Sequence, residues 1–289
     1  MIKIQTINEF SLGQDIYGFY QSIFKEKKLT KNGDYFIDVQ LRDKTGQING
    51  KIWKFCDFYE NMFEEGDLVA VKAIVKSYRK NFFLEILNIN QLDSSKYIKY
   101  GFDEKNILPS ISASSDIIYK NILKEISKLD KPYKDFLHHI YTQYENEIKN
   151  YPDLLTYSNY GQKGSLILKI YNALRIAKLI YNNKTLKDKD IIISAILLKY
   201  IGRVKQYKYN IIFSLSDVSK NENCFILSRD IIKKYSKKNQ SISREDIIEL
   251  TDIVLYDGVN HDIENPKAMI VSDIFNLEKS ISNNQQDDE

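Results

Sequence analysis

The spacing of hydrophobic and polar positions changes to a helical period at Ser114, and that change divides the chain. Up to residue 92 the pattern is that of strands. "DIYGFYQSIFKEKKLT" (residues 15–30) is long and rich in aromatic and β-branched side chains. "KNGDY" turns the chain at Asn32-Gly33. "YFIDVQLRD" then alternates, with Tyr35, Ile37, Val39 and Leu41 facing one way and Phe36, Asp38, Gln40 and Arg42 the other. After a turn at "KTGQ", "INGKIW" predicts a third strand, with Ile48 and Ile52 on its apolar face and Asn49, Lys51 and Trp53 opposite. "KFCDFYENMFEEG" has helical spacing and stops at Gly66. "DLVAVKAIVKSYR" and "FFLEILNINQL" predict a closing hairpin that turns at Lys80-Asn81.

Three strands, a helix and two strands are the order of an OB-fold, a five-stranded barrel whose strand 2–3 face and two loops bind oligonucleotides. An SH3-like barrel competes, and the helix between strands three and four favours the OB-fold. Residues 93–113 are polar and irregular around Pro109 and predict a linker. From Ser114 the period becomes helical. "SSDIIYKNILKEISKL" lies behind a Ser cap, "YKDFLHHIYTQYENEIKNY" ends before Pro152, and "GSLILKIYNALRIAKLIYNN" is long and amphipathic. Thr185 with Asp188 suggests a capping box for "KDIIISAILLKYIG", and Ser243 with Asp246 one for "EDIIELTDIVLYDG". "PKAMIVSDIFNLEKSIS" predicts a last helix. The expected class is therefore multidomain β plus α: an OB-fold barrel over 1–92, a linker over 93–113, an all-α domain over 114–281 and a flexible tail over 282–289.

Charge adds little. In 289 residues, 42 Lys and Arg against 39 Asp and Glu leave a net +3, which permits a nucleic-acid partner only where basic residues cluster. Cys56 and Cys224 fit neither a zinc spacing nor a disulfide framework and read as buried thiols. The N-terminus lacks the apolar core of a signal peptide. The best apolar run, Ile191 to Leu198, is interrupted by Ser194 and falls short of the ~20 residues that span a bilayer. A cytoplasmic protein without membrane contact is the expectation.

The barrel carries the first candidate chemistry. Phe36, Arg42, Lys51 and Trp53 share one side by parity, and the hairpin "KSYRKNFF" adds Lys76, Tyr78, Arg79, Lys80 and Phe82. Bases stack on aromatic rings while Lys and Arg follow phosphates, so these residues are the expected nucleic-acid face. The plainer alternative places Trp53 and Phe82 in the core and the lysines on a solvated surface.

The helices offer less. His138 and His139 are adjacent and point to different helix faces, and His261 stands alone in "YDGVNHDIE". Asp252, Asp257, Asp262 and Asp273 supply carboxylates without the imidazoles that transition-metal hydrolases use, so the residues alone predict no metal site. The one "GxxG", Gly161 to Gly164, reads as a helix start or an anion loop. No G-x-S-x-G elbow is present.

"LRDKTGQINGKIW", residues 41–53, resembles the barrel signature of the YhaM family. These bacterial 3′-to-5′ exoribonucleases, some described as CMP-binding factors, carry an OB-fold ahead of an HD-type phosphohydrolase domain. The resemblance continues through "NYGQKGSLILKIYNALRIAKLIYNN", "LKDKDIIISAILLKYIGRV" and "EDIIELTDIVLYDG". It implies an HD-like helical domain whose His and Asp ligands hold a divalent metal. Here the first His falls at Lys169, the His-Asp pair at Lys199-Tyr200 and a further His near Arg229. Later His positions fall near Asp252 and Asp257, and the closing Asp falls at about Phe275, beside Asp273. Lys and Arg offer only donors and cannot coordinate a cation.

The resemblance therefore implies a degenerate HD domain with no expected catalytic residue, no metal and no cofactor. Lys169, Lys199 and Arg229 are expected to face Asp252, Asp257 and Asp273 in the vacated site. The expected function is non-catalytic binding of single-stranded nucleic acid, RNA ahead of DNA. Two alternatives remain: a nuclease using Asp252, Asp257, Asp262 and Asp273 with Mn or Mg, and an interaction protein that assembles with itself or with an active relative.

Overall fold

Strand β1, Asp15–Leu29, is long enough to serve two neighbours. Its first half pairs with β4, Leu68–Tyr78, and its second half with β2, Tyr35–Asp43, both antiparallel. β2 continues to β3, Gly46–Ile52, and β4 to β5, Asn81–Gln91. A parallel contact of β3 with β5 closes the barrel in the order β1-β2-β3-β5-β4. The protein is described by a computed structural model covering residues 4–154, 162–181, 188–210, 212–238, 242–256 and 265–284. The chain divides into two compact units, Met1–Pro109 and Ser110–Glu289.

The alternation read in β2 is the barrel's inside and outside: Ile37, Val39 and Leu41 are buried, and Phe36, Asp38, Gln40 and Arg42 face outward, half-covered. Gly50 leaves room where β3 meets β5, since a Cβ there would lie 2.6 Å from the end of the Ile86 side chain and 3.0 Å from Val39 Cγ2. β1 carries a bulge between Ser22 and Phe24 that reverses its parity. The helix after β3 is shorter than its spacing predicts. α1 spans only Cys56–Glu60, and the Lys25 ammonium donates to the carbonyls of Glu60 and Phe63 that a longer helix would have used.

Residues 93–113 are not an irregular linker throughout. Ser94–Tyr97 form the helical turn α2, and Phe102, Ile107 and Leu108 are buried. Phe19 of β1 meets Tyr97 and Phe102 edge-on at 5.6 and 5.4 Å, and Lys44 N donates to Asn106 O at 3.1 Å. Polar neighbours hid these apolar anchors, which fasten the segment to the barrel.

The second unit is largely helical: α3 Ser115–Ile126, α4 Lys131–Gln143, α5 Glu145–Asn150, α6 Ser165–Tyr181, α7 Lys189–Leu198 and α8 Arg203–Gln206, then α9 Cys224–Ser236, α10 Arg244–Leu255 and α11 Pro266–Asn284. Between α8 and α9, β6 (Tyr207–Asn210) pairs antiparallel with β7 (Ile212–Leu215), so the unit is not all-α. The helix expected over 133–151 breaks at Tyr144 into α4 and α5. Ser114 and Ser243 cap their helices as their positions predict, accepting from Ile117 N and Asp246 N. α7 is buried all round, and α6, α10 and α11 share its apolar core. Among the described residues no helix is long and apolar enough to cross a membrane.

Candidate nucleic-acid interface

The outward positions of β2 and β3 build the site. Ile37 pairs with Ile52, so Phe36 and Trp53, one step further along each chain, lie side by side. Their ring centroids are 5.1 Å apart at a tilt of 30°. One register step inward, Asp38 pairs with Lys51, whose ammonium sits 5.3 Å from both ring centres. That contact holds a cation beside an aromatic ledge rather than loose in solvent. Lys28 of β1 pairs with Phe36 and reaches Asp38 at 2.8 Å, which neutralises the carboxylate nearest the ledge.

The far wall comes from the β4–β5 hairpin. With the strand 2–3 face it encloses a cleft of about 660 Å³, lined by Phe24, Lys51, Trp53, Tyr78, Phe82 and Phe83 among others. Trp53 is 41% exposed, Tyr78 66% and Phe82 46%, so these rings are not core. The hairpin turns at Arg79-Lys80, one residue earlier than the composition suggests, with both residues left-handed at φ 49° and 69°. Side chains adopt that backbone at a cost, and two in succession present two cations at the tip. The Arg79 guanidinium rests 5.3 Å over the Tyr78 ring. Lys76 is held by Glu85 at 3.6 Å.

The structure thus brings Phe36, Lys51, Trp53, Tyr78 and Phe82 together and sets Arg79 and Lys80 at the rim. It separates Arg42, which lies six residues from Phe36, roughly 20 Å along the strand. Arg42 is partly buried and donates to Gln21 Oε1 at 2.6 Å. Phe24 and Phe83 were not anticipated. Phe24 faces outward only because the bulge shifts its pairing to Gln40. Phe83 was legible from Leu84 and Ile86, which alternate inward.

In the helical unit the expected residues arrange differently. Lys169 Nζ donates to Asp153 Oδ2 at 2.7 Å, and Arg203 Nε reaches Asp153 Oδ1 at 3.3 Å. Asp153 is fully buried, and its backbone is fixed by Ser165 and by the Tyr207 hydroxyl. Lys169 also sits 3.9 Å over the Tyr200 ring, which meets Phe275 at 4.8 Å. Burial pushes the Tyr200 phenol up, the Tyr207 phenol up to about 12 and the Cys224 thiol up to about 11. Burial also raises the Glu278 carboxyl, against the pull of Ser282 and Lys169.

Lys199 is bound at the end of α10, and Asp257, one of the carboxylates it is expected to face, lies outside the described residues. Its ammonium donates to the carbonyls of Tyr256 at 2.6 Å and Val254 at 3.4 Å, closing the end of α10. Arg229 pairs with its neighbour Asp230 at 2.8 Å, and Asp252 and Asp273 are exposed. The carboxylate that Lys169 and Arg203 share is Asp153, which no motif marked. Asp257, His261, Asp262, Gly161 and Thr185 lie outside the described residues. Among the described residues no group of three or more metal-binding side chains converges.

Residues 22–92, from the second half of β1 to the end of β5, match the family model for the OB-fold nucleic acid binding domain, tRNA_anti-codon. The closed five-stranded barrel of the N-terminal unit has the OB-fold that this model describes. Among solved structures, the second OB-fold domain of replication protein A from Methanococcus maripaludis is 21% identical, over 32% of this chain and 97% of that one, with a TM-score of 0.27. The mitochondrial single-stranded DNA binding protein Rim1 of S. cerevisiae is 15% identical over 28% and 94%, with a TM-score of 0.25. Pot1pC of Schizosaccharomyces pombe, bound to ssDNA, is 16% identical over 32% and 89%, with a TM-score of 0.25.

Proposed function

We propose that the barrel binds single-stranded nucleic acid across its strand 2–3 face and that the helical unit is a non-catalytic scaffold. The observation that carries this reading is the Phe36–Trp53 ledge with the Lys51 ammonium over both rings. A base needs an apolar plane and its phosphate a nearby cation, and here both are on the surface within one cleft. Tyr78, Phe82 and the Arg79-Lys80 tip extend the same alternation of ring and charge.

The class of ligand, RNA ahead of DNA, follows from the resemblance to the YhaM exoribonucleases. The same resemblance reads the helical unit as an HD-type domain without its ligands. In support, the residues standing at the first His, the Asp of the pair and the closing Asp meet in one place: Lys169 lies over Tyr200, and Tyr200 against Phe275. Where the HD metal would need imidazole nitrogens and carboxylate oxygens, these positions offer an ammonium, a phenol that burial keeps protonated, and a phenyl ring.

The test is titration of the full-length protein into labelled single-stranded RNA and DNA with Mn²⁺ or Mg²⁺ present, scoring binding and cleavage together. Binding that weakens with salt, without cleavage, is expected, because each neutralised phosphate releases counterions. Absence of salt-sensitive binding overturns the barrel reading. Cleavage that disappears in Asp252→Ala or Asp273→Ala overturns the scaffold reading.

A further inference from the structure

A second depression opens on the other side of Trp53. It measures about 690 Å³ and is lined by Thr30, Asp34 and Tyr35 at the β1–β2 turn, by Trp53, and by Phe55 and Phe58 before and within α1. Four large rings show on one small surface: Tyr35 is 53% exposed, Trp53 41%, Phe55 75% and Phe58 60%. Scattered exposed rings need no explanation, but a contiguous set on a soluble domain marks a binding surface.

The backbone supports the same conclusion. Phe55 is left-handed, with φ 56° and ψ 39°. Bulky residues rarely adopt this conformation, and a site that keeps one usually uses what it positions. Here the strain holds a phenyl ring out in solvent, where it adds nothing to the core. Tyr35 is braced instead: the Lys27 ammonium sits 4.7 Å from its ring and also pairs with Asp57 at 2.7 Å.

Charge separates the two depressions. In the first, Lys51 stands over the rings. In the second, Lys27 is engaged by Asp57 and Glu60, whereas the Asp34 carboxylate has no ion pair or hydrogen bond among the described residues. A phosphate would be repelled by Asp34, so the strand must present a base here. A carboxylate accepts hydrogen bonds, and its two oxygens match adjacent N–H donors. Guanine carries such a pair on its Watson–Crick edge, N1–H and N2–H. Uracil and thymine flank their one N–H with carbonyls that a carboxylate repels.

Resting on the proposed barrel function, we propose that this depression is a second base subsite, continuous with the first through Trp53, that selects guanine by stacking on Phe55 and Phe58 and by hydrogen bonding to Asp34. The reading joins two adjacent stacking positions on one strand. It makes base preference a property of the β1–β2 turn rather than of the cleft.

The experiment uses the full-length protein with a labelled oligouridylate and the same oligomer carrying one guanine, read by anisotropy and by quenching of Trp53, the chain's single tryptophan. The wild type is expected to favour the guanine oligomer by about fivefold, the low end for a bidentate contact at an exposed site. Asp34→Asn and Phe58→Ala should each reduce its affinity to that of the oligouridylate. Phe55→Gly should do the same while the melting temperature holds or rises, because glycine relieves the left-handed strain. Equal affinity for both oligomers in the wild type, or a preference that persists in Asp34→Asn, overturns the subsite. Failure to bind either oligomer overturns the barrel function instead.

Discussion

Lys169 Nζ and Asp153 Oδ2 lie 2.7 Å apart, with Asp153 fully buried and Lys169 nearly so. Arg203 shares the carboxylate at 3.3 Å, so two cations meet on one anion. Such a site is held by complementarity, and removing one side of a buried pair leaves the other uncompensated.

Asp153→Asn should therefore destabilise the protein by about 3–5 kcal/mol, because it removes the buried charge that Lys169 and Arg203 share. Lys169→Met should cost much less, since Asp153 keeps Arg203 and the methionine fills the same channel. Urea unfolding of the two variants checks the order. Equal losses would mean that the pairing is not what holds the site.

Trp53 contributes little to the core, as its exposure shows, and much to the ledge. Trp53→Ala should weaken binding of single-stranded RNA by about 1–3 kcal/mol, the usual worth of one stacked base. Melting temperature should change little. Lys51→Ala should act mainly through salt, flattening the dependence of affinity on ionic strength by roughly one phosphate contact. Anisotropy titrations at several salt concentrations separate the two effects.

The hairpin tip sets stability against function. Arg79 and Lys80 occupy two left-handed positions that Asn-Gly fills without strain. Replacing both by Asn-Gly should stabilise the barrel by about 0.5–1 kcal/mol. The same change removes two cations from the rim and should weaken binding. If stability and affinity rise together, the tip has no part in the interface.

The barrel was legible because its strands alternate cleanly. Phe36 to Arg42 shows this best: Ile37, Val39 and Leu41 point inward and are apolar while the outward residues are polar or aromatic, so parity alone placed Phe36 and Lys51 on one face. Parity failed where the backbone breaks its own rule. The bulge at Ser22–Phe24 turns Phe24 outward, and no local signal marks it. Arg42 passed the parity test but lies too far along the strand, because parity fixes the face and not the position on it. In the helices, apolar spacing located α6, α7, α10 and α11. Asp153 was invisible, since its meaning comes from Lys169 and Arg203, which are distant in sequence. The carbonyls of Val254 and Tyr256 that Lys199 reaches at the end of α10 were hidden for a related reason, since no side-chain pattern records a backbone partner.

Stability should fall at alkaline pH, and the sign follows from the raised thiol and phenols. Burial lifts Cys224 from 9.0 to about 11 and Tyr207 from 10.0 to about 12. The unfolded chain releases these protons first, so between those values the native state binds more of them and stability drops as pH rises. Cys224 alone accounts for an upper bound of roughly 2–3 kcal/mol across its window. Thermal melts from about pH 8 to about pH 11 should show the decline, and Cys224→Ala should flatten its lower part. A melting temperature constant to pH 11 would refute the assignment.

Gly202 gives the sharpest prediction for the segment "AILLKYIGR". It follows the Lys199-Tyr200 pair at the end of α7, where α9 crosses closely. Gly202 N donates to Ser228 Oγ at 2.8 Å, and that hydroxyl donates to Lys199 O at 3.0 Å. A Cβ at Gly202 would lie 2.1 Å from the Cys224 carbonyl oxygen and 2.7 Å from Ser228 N. Both are backbone atoms and cannot rotate away, so Gly202→Ala must separate α9 from the α7 end. That movement breaks the serine bridge and disturbs the Tyr200 ring packed on Phe225 and Phe275. A loss of several kcal/mol is expected, in the range of overpacked cores with a broken hydrogen bond, about 2–4 kcal/mol. Ser228→Ala, which removes only the bridge, should cost about 1–2 kcal/mol. Oligonucleotide affinity of whatever protein remains folded should match the wild type, because the barrel has its own core. Comparable losses for the two variants would show that hydrogen bonding, and not the close approach of α9, fixes glycine at this position.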